Sequence, residues 1–268
     1  IIFLPSLAGF VGSDILAGVL ACGMDEHDEF TMLVDLGTNG ELIIGNKDGF
    51  LCASTAVGPA FEAATISCGM SALPGAIAHV DIRDGKLNLT TIGDHPPVGI
   101  CGSGLIDLVT AWLRLGVIDE TGRLQGSEDK LQVSPNVKLT PRDIRELQLG
   151  KGAIATGIRI LLEEMGPSKQ PETVFLAGAF GNYCRIDSLK KLGMFPFPQE
   201  IPIQSVGNSA LRGAKLALVD FDATWRRIEA IIEKTRSVEL NLHPKFTDYY
   251  TESMFFPVLC HEEKIALA

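Results

Sequence analysis

Apolar residues at positions 7, 8, 10, 11, 15, 16, 19 and 20 recur at roughly helical spacing. They predict a helix within residues 6–22, with Ser13 or Asp14 as N-cap and Gly23 as terminator. Acidic residues 25–29 read as a solvated connector. The period then falls to two, and residues 30–35, 41–45 and 50–55 read as strands joined by Leu-Gly-Thr-Asn-Gly and Asn-Lys-Asp-Gly. Asn39-Gly40 and Asp48-Gly49 are hairpin signals, which makes the three strands an antiparallel meander. A further hairpin is expected over 76–82 and 87–92 around Asp84-Gly85. The run Gly99 to Gly104 opens a helix over 105–115 with Ser103 in a capping position, and 119–138 reads as loops or short strands. Thr140-Pro141 starts a helix over 141–164, with Asp143 in its first turn and Ile144, Leu147, Ile154, Ile158 and Leu161 on one face. A buried strand at 173–177 runs into Gly178-Ala179-Phe180-Gly181. A short helix near 187–192, a strand at 201–206 and one long helix over 208–233 complete the pattern.

This order defines an α/β chain. Without its insertions it is a ribonuclease-H-like unit with a mixed sheet, in which a three-stranded antiparallel meander is extended by parallel strands, with flanking helices and an inserted hairpin. The core is expected over about 30–233. Residues 1–29 form an N-terminal helix and connector, and 234–268 form a tail that packs on the core. The short helix near 187–192 reads as a loop embellishment.

Composition narrows the partners. The chain has 268 residues, 46% of them hydrophobic, and a net charge of -10. No Lys/Arg-rich tract interrupts that charge, which argues against nucleic acid. Residues 1–24 are apolar but carry Pro5, four glycines and Asp14, so they do not read as a membrane span, and they lack a basic leader. A cytoplasmic protein is expected. The six cysteines form no CxxC pair and read as reduced thiols. The histidines show no partner spacing and read as surface or loop residues. The chain opens on Ile1 in mid-pattern, as a piece of a longer protein would.

Three glycine-rich segments carry candidate chemistry. Gly37 and Gly40 flank a turn in which backbone N–H groups are available to a polyphosphate, and Thr38 and Asn39 add side-chain donors. Asp35, at the end of a strand, is placed to hold a magnesium ion. A plain type I′ hairpin remains the alternative. Gly178, Ala179, Phe180 and Gly181 follow a buried strand where small residues let a base and ribose lie on the backbone, or form only a tight turn. Gly99 to Gly104 precede a helix, whose N-terminus favours anions, or form merely a turn. In a fourth segment, residues 206–214, small residues are spaced for close packing against another helix.

Together these motifs resemble the ASKHA superfamily of actin, the Hsp70 ATPase and sugar kinases. More specifically, the stretches at 35–41, 58–62, 66–70, 99–107, 176–182 and 254–257 resemble the C-terminal domain of the reductive activators of corrinoid proteins. The resemblance implies an ATP-dependent activator that returns a Co(II) corrinoid protein to Co(I) for methyl transfer, with ATP and Mg2+ as cofactors and a [2Fe-2S] cluster in a ferredoxin domain elsewhere in the parent. It implies as partners a corrinoid protein and the remaining ASKHA half, with a homodimer possible. By the same resemblance Gly37, Thr38, Asn39 and Gly40 contact phosphates, Asp35 holds the metal, and Gly178 to Gly181 line the adenosine pocket. Gly102 and Ser103 would touch the ribose, and Gln148 or Lys151, read as lying on a solvated helix surface, would flank the base or ribose. The alternatives are the half-domain of a small-molecule kinase, or a dimerisation or docking module whose nucleotide site is unused.

Overall fold

A computed structural model describes residues 2–37, 39–126, 131–166 and 169–259. In chain order the first elements are α1 (Ser13–Cys22), β1 (Thr31–Leu36), β2 (Asn39–Asn46), β3 (Gly49–Ala56), β4 (Ala76–Arg83), β5 (Lys86–Thr91), β6 (Gly99–Ile100) and α2 (Gly102–Arg114). Then follow β7 (Leu131–Ser134), β8 (Val137–Leu139), α3 (Pro141–Met165), β9 (Thr173–Ala177), α4 (Gly178–Tyr183) and α5 (Ile186–Lys191). The last are β10 (Ile203–Gly207), α6 (Ser209–Val219), α7 (Phe221–Glu233), β11 (Thr235–Ser237) and α8 (Phe246–Met254). Two compact units result. The first holds residues 1–56, 156–182 and 196–247, and the second the remainder, the boundary falling within α3.

The first unit is built on a six-stranded sheet in the order β10-β9-β1-β2-β3-β11. β1 pairs antiparallel with β2, and β2 with β3, which is the expected meander. β9 adds to it parallel to β1, and β10 parallel to β9, as a ribonuclease-H-like unit requires. β1 and β9 are nearly continuous apolar runs because both of their faces are covered. The sixth strand, β11, pairs parallel with β3 and lies in the segment read as a tail. It is three residues long, too short to leave a period.

Helix α1 is part of the core, with Leu16 and Val19 fully buried together with Leu33 and Ile43. It has Gly12 as its N-cap and no side-chain cap, so neither Ser13 nor Asp14 has that role; Gly23 ends it in the left-handed conformation. The small residues of the fourth segment find their partner here. A Cβ on Gly213 would stand 1.9 Å from the Ala17 carbonyl oxygen, and one on Gly18 would stand 3.1 Å from Ser209 Oγ. The long helix expected over 208–233 is two helices. Asp220 leaves helical geometry and its carboxylate accepts from Ala223 N at 3.2 Å, capping α7. Apolar spacing continues through the break, which hid it from periodicity.

The second unit carries the sheet β5-β4-β6, with β4 packed against α2, and the separate β7–β8 hairpin. At Asp84-Gly85 both residues adopt positive φ, 50° and 70°, so this hairpin turn has the type I′ form. Helix α2 begins at Gly102 with Cys101 as N-cap, so Ser103 does not cap it. Its Oγ instead donates to Ala78 O at 2.9 Å. Asp143 is fully buried at the start of α3, accepting from Thr140 N and Oγ1 and from Ser67 N and Oγ at 2.7–3.0 Å. That arrangement works as a capping box with an aspartate in the distal place. The short helix read as an embellishment, α5, buries Leu189 completely.

Candidate functional site

β1 delivers Asp35 to the end of the first unit's sheet, opposite Glu41 on β2 and Ala177 on β9. The chain reverses between Leu36 and Asn39, and Gly40 already lies in β2 opposite Leu36. The hairpin signal Asn39-Gly40 therefore sits just past the turn. The Gly37 amide donates to Asn39 O at 3.0 Å, so that N–H is taken up by the turn. Thr38 lies outside the described residues.

The two expected segments of the first unit meet at Gly178. Its φ is 87°, and a Cβ there would stand 2.7 Å from Asp35 Oδ1 and 2.9 Å from Leu36 O. Glycine is thus required by both conformation and space. The side chains of Ala179 and Phe180 lie outside the described residues; their backbone forms the first turn of α4. Gly181 packs where a Cβ would stand 2.7 Å from Leu176 Cγ. Ser205 Oγ, on β10, donates to Gly181 O at 3.2 Å and to Asn182 Oδ1 at 3.0 Å, tying the end of β10 to this turn.

The electrostatics of the strand ends are one-sided. Burial, and then the charge of Asp14, raise the Asp35 carboxyl above its usual range. Glu41 is pushed up to about 7 by burial and by Asp14 and Asp35. Like charges directly opposite on paired strands repel, and a cation placed between them would remove that cost. No group of three or more His, Cys, Asp and Glu capable of holding a metal forms among the described residues. A magnesium ion keeps several waters and leans on one or two carboxylates plus phosphates, so Asp35 is a residue that could hold one.

The other expected residues belong to the second unit. Gly102 and Ser103 are buried in the first turn of α2, the Ser103 hydroxyl bonded as above. Gln148 and Lys151 are not on a solvated surface: they are 2% and 1% exposed. Lys151 Nζ donates to Ser253 O at 2.6 Å and to Phe255 O, and stands 5.5 Å from the Phe256 ring centre. Gln148 Nε2 donates to Thr121 O at 3.0 Å and Met254 O at 3.1 Å. The two side chains hold carbonyls at and just beyond the C-terminal end of α8, which a helix leaves without internal partners. Burial lowers the Lys151 ammonium to about 8.

One histidine is not a plain surface residue. His79 Nδ1 lies 3.0 Å from a carboxylate oxygen of Asp107, which is 2% exposed and also accepts from Ser188 Oγ at 2.6 Å. Arg185 adds its Nε at 3.5 Å from Asp107 and pairs through its guanidinium with Asp81 at 2.6 Å. The signal for this network was an aspartate inside the apolar run Leu105 to Leu113, which burial had to satisfy. Cys22, Cys52, Cys68, Cys101 and Cys184 are free thiols, and burial raises Cys22 and Cys52 to about 11. No helix among the described residues is long and apolar enough to cross a membrane.

A meander extended by two parallel strands, with a carboxylate at its end facing a glycine turn, is the arrangement of an ASKHA-type domain. The chain belongs to the family described as the C-terminal domain of RACo, the ASKHA domain, whose model matches residues 29–264. A corrinoid activation enzyme, RamQ, from Eubacterium limosum is 34% identical over 95% of this chain and 47% of its own length. The [Co(II) methylated amine-specific corrinoid protein] reductase of Methanosarcina barkeri is 28% identical over 89% of this chain and 47% of its own. A solved structure titled reductive activator for corrinoid, iron-sulfur protein matches with a TM-score of 0.83 at 36% identity, covering 95% of this chain and 44% of that one. The chain thus spans about half the length of the curated relatives it matches.

Proposed function

We propose that this chain is the nucleotide-binding part of an ATP-dependent reductive activator that returns a Co(II) corrinoid protein to Co(I). Family membership supports the class, and the fit of Asp35 to Gly178 is the observation that carries the site. The acidic pair Asp35 and Glu41, both raised by burial and by the charge of Asp14, suits a bound cation, and Gly178 keeps side chains away from it. Asp35 would hold Mg2+, and Asn39 and Gly40 would face the phosphates. Gly178 and Gly181 keep side-chain bulk away from the turn where an adenosine would lie. ATP hydrolysis supplies the free energy for an electron transfer that is otherwise uphill. A [2Fe-2S] cluster in the parent protein would deliver the electron to the corrinoid partner.

Gln148 and Lys151 are left out of this assignment because their donors are spent on backbone carbonyls. The test is Gly178→Val and Asp35→Asn in the full-length activator, measuring ATP affinity with and without Mg2+ alongside corrinoid reduction. Gly178→Val should abolish nucleotide binding, and Asp35→Asn should weaken only the Mg2+-dependent part. Unchanged affinity in both variants would remove the site from this turn.

A further inference from the structure

The second unit holds a cavity of about 340 Å³ that nothing in the activity above uses. One wall is a face of α3, where Pro141, Arg145 and Gln148 follow one another at helical spacing. The facing walls are the turn at Thr121 to Arg123 and the end of α8 at Met254 and Phe255. Gln148 holds these walls together through its bonds to Thr121 O and Met254 O. Gly122 has φ 78°, and a Cβ on it would stand 2.9 Å from the Gln148 amide, so the turn closes tightly on that side chain. The cavity floor is therefore built from a buried amide with fixed partners, and the exposed Arg123 and Arg145 stand at its rim.

Its charge is cationic in a protein whose net charge is -10. Neither Arg123 nor Arg145 has a carboxylate within ion-pair distance among the described residues. Asp119 is an acid that bears on Arg123. That carboxylate is already accepting from Thr121 N, Thr121 Oγ1, Arg123 N and Gln125 Nε2 at 2.6–3.0 Å. Phe255, 48% exposed, and Met254 give the cavity an apolar side.

We propose that this cavity is a binding site for a small organic oxyanion, a phosphate monoester or carboxylate carried on an apolar or planar body. A guanidinium presents planar paired donors that match phosphate and carboxylate oxygens, and two of them on one cavity select such a group over a neutral ligand. The volume is within the range of small-molecule sites. The Phe255 ring supplies a face for the ligand body.

The probes are phenyl phosphate, benzoate and inorganic phosphate, titrated calorimetrically into the whole chain. Phenyl phosphate should bind saturably, and Arg145→Ala and Arg123→Ala should each weaken it about tenfold or more. Arg145→Ala should leave the melting temperature unchanged, since no carboxylate among the described residues pairs with it, whereas Arg123→Ala loses only its attraction to Asp119. Arg226→Ala, an exposed arginine of the first unit, should leave binding unchanged. Phe255→Ala should weaken phenyl phosphate but not inorganic phosphate. Benzoate binding in place of phenyl phosphate, with the same dependence on Arg123 and Arg145, would retain the site and set its oxyanion as a carboxylate. Equal weakening by Arg226→Ala, no effect of the two cavity arginines, or binding of poly-glutamate with none of the small anions would overturn the proposal.

Discussion

Replacing Lys151 by Met tests whether a buried ammonium is a clamp on the end of α8. The variant loses Nζ donors to Ser253 O and Phe255 O, each charge-assisted bond contributing about 1.5–3 kcal/mol. It also removes a cation whose charged form burial disfavours, lowering it from 10.5 to about 8. That difference amounts to about 3 kcal/mol of destabilisation near neutral pH. The two contributions oppose each other, so at pH 7 the net cost should be small, about 0–3 kcal/mol. The pH dependence is decisive because only one of them titrates. Between pH 8 and 10.5 the unfolded chain holds the lysine proton and the folded chain releases it, so stability rises with pH in that window. From pH 7.5 to 9.5 Lys151 should add about 2 kcal/mol to the wild-type protein and nothing to Lys151→Met. Urea unfolding of both proteins at the two pH values measures this, and the difference between them cancels the thiols and tyrosines that also titrate there. Parallel behaviour of the two proteins would refute the reasoning and return Lys151 to the list of candidate ligand residues.

Other outcomes follow from single contacts. Gly213→Val places a Cβ 1.9 Å from the Ala17 carbonyl oxygen, so α1 and α6 must separate; a loss of about 3 kcal/mol or more is expected in urea unfolding. Glu41→Gln removes a carboxylate raised to about 7. The folded state holds that proton between about 4.5 and 7 while the unfolded state releases it, so wild-type stability falls as pH rises through this range. The variant should be more stable at pH 8 by about 1 kcal/mol, after discounting for the side chain's partial exposure, and should lose that slope in a pH series of melting curves. Asp107→Ala strips partners from His79 and Ser188 and leaves Arg185 with Asp81; thermal unfolding should show a loss of about 3–5 kcal/mol. Mg2+ with ATP should raise the melting temperature of the full-length activator, and Asp35→Asn should abolish the part of that rise that needs Mg2+.

The meander, the two parallel strands and the Asp84-Gly85 turn were legible because each depends on local chemistry: period-two alternation, turn residues and continuous apolar runs. Gly178 was singled out for room to seat a base and ribose, and the close approach it permits is to Asp35 and Leu36. What the sequence concealed depends on distant partners. Lys151 and Gln148 stand in a helical pattern where long polar side chains ordinarily reach water, and the carbonyls of Thr121 and of residues 253–255 make their burial tolerable. Asp220 breaks a helix without disturbing its apolar spacing, because α7 resumes with residues that suit the same period. β11 is too short for any pattern and exists because β3 offers it an edge. His79 was passed over because its partner Asp107 lies 28 positions away on another element.

The opposed acids at the end of the sheet give the functional reading its strongest physical footing. Asp35 and Glu41 are direct partners in an antiparallel pair, and Asp14 adds a third negative charge that raises both. Such a pairing opposes folding, and replacing Glu41 by a neutral residue would relieve it at no visible cost in packing. The arrangement becomes favourable once a cation is present, because each carboxyl then returns toward its ionised form and the repulsion turns into shared attraction. Cation binding should accordingly release protons near pH 7, chiefly from Glu41. Calorimetry of Mg2+ and ATP binding to the full-length activator in buffers of different ionisation enthalpy reads that release directly. An apparent enthalpy independent of the buffer would mean that the acidic pair is not where the cation binds.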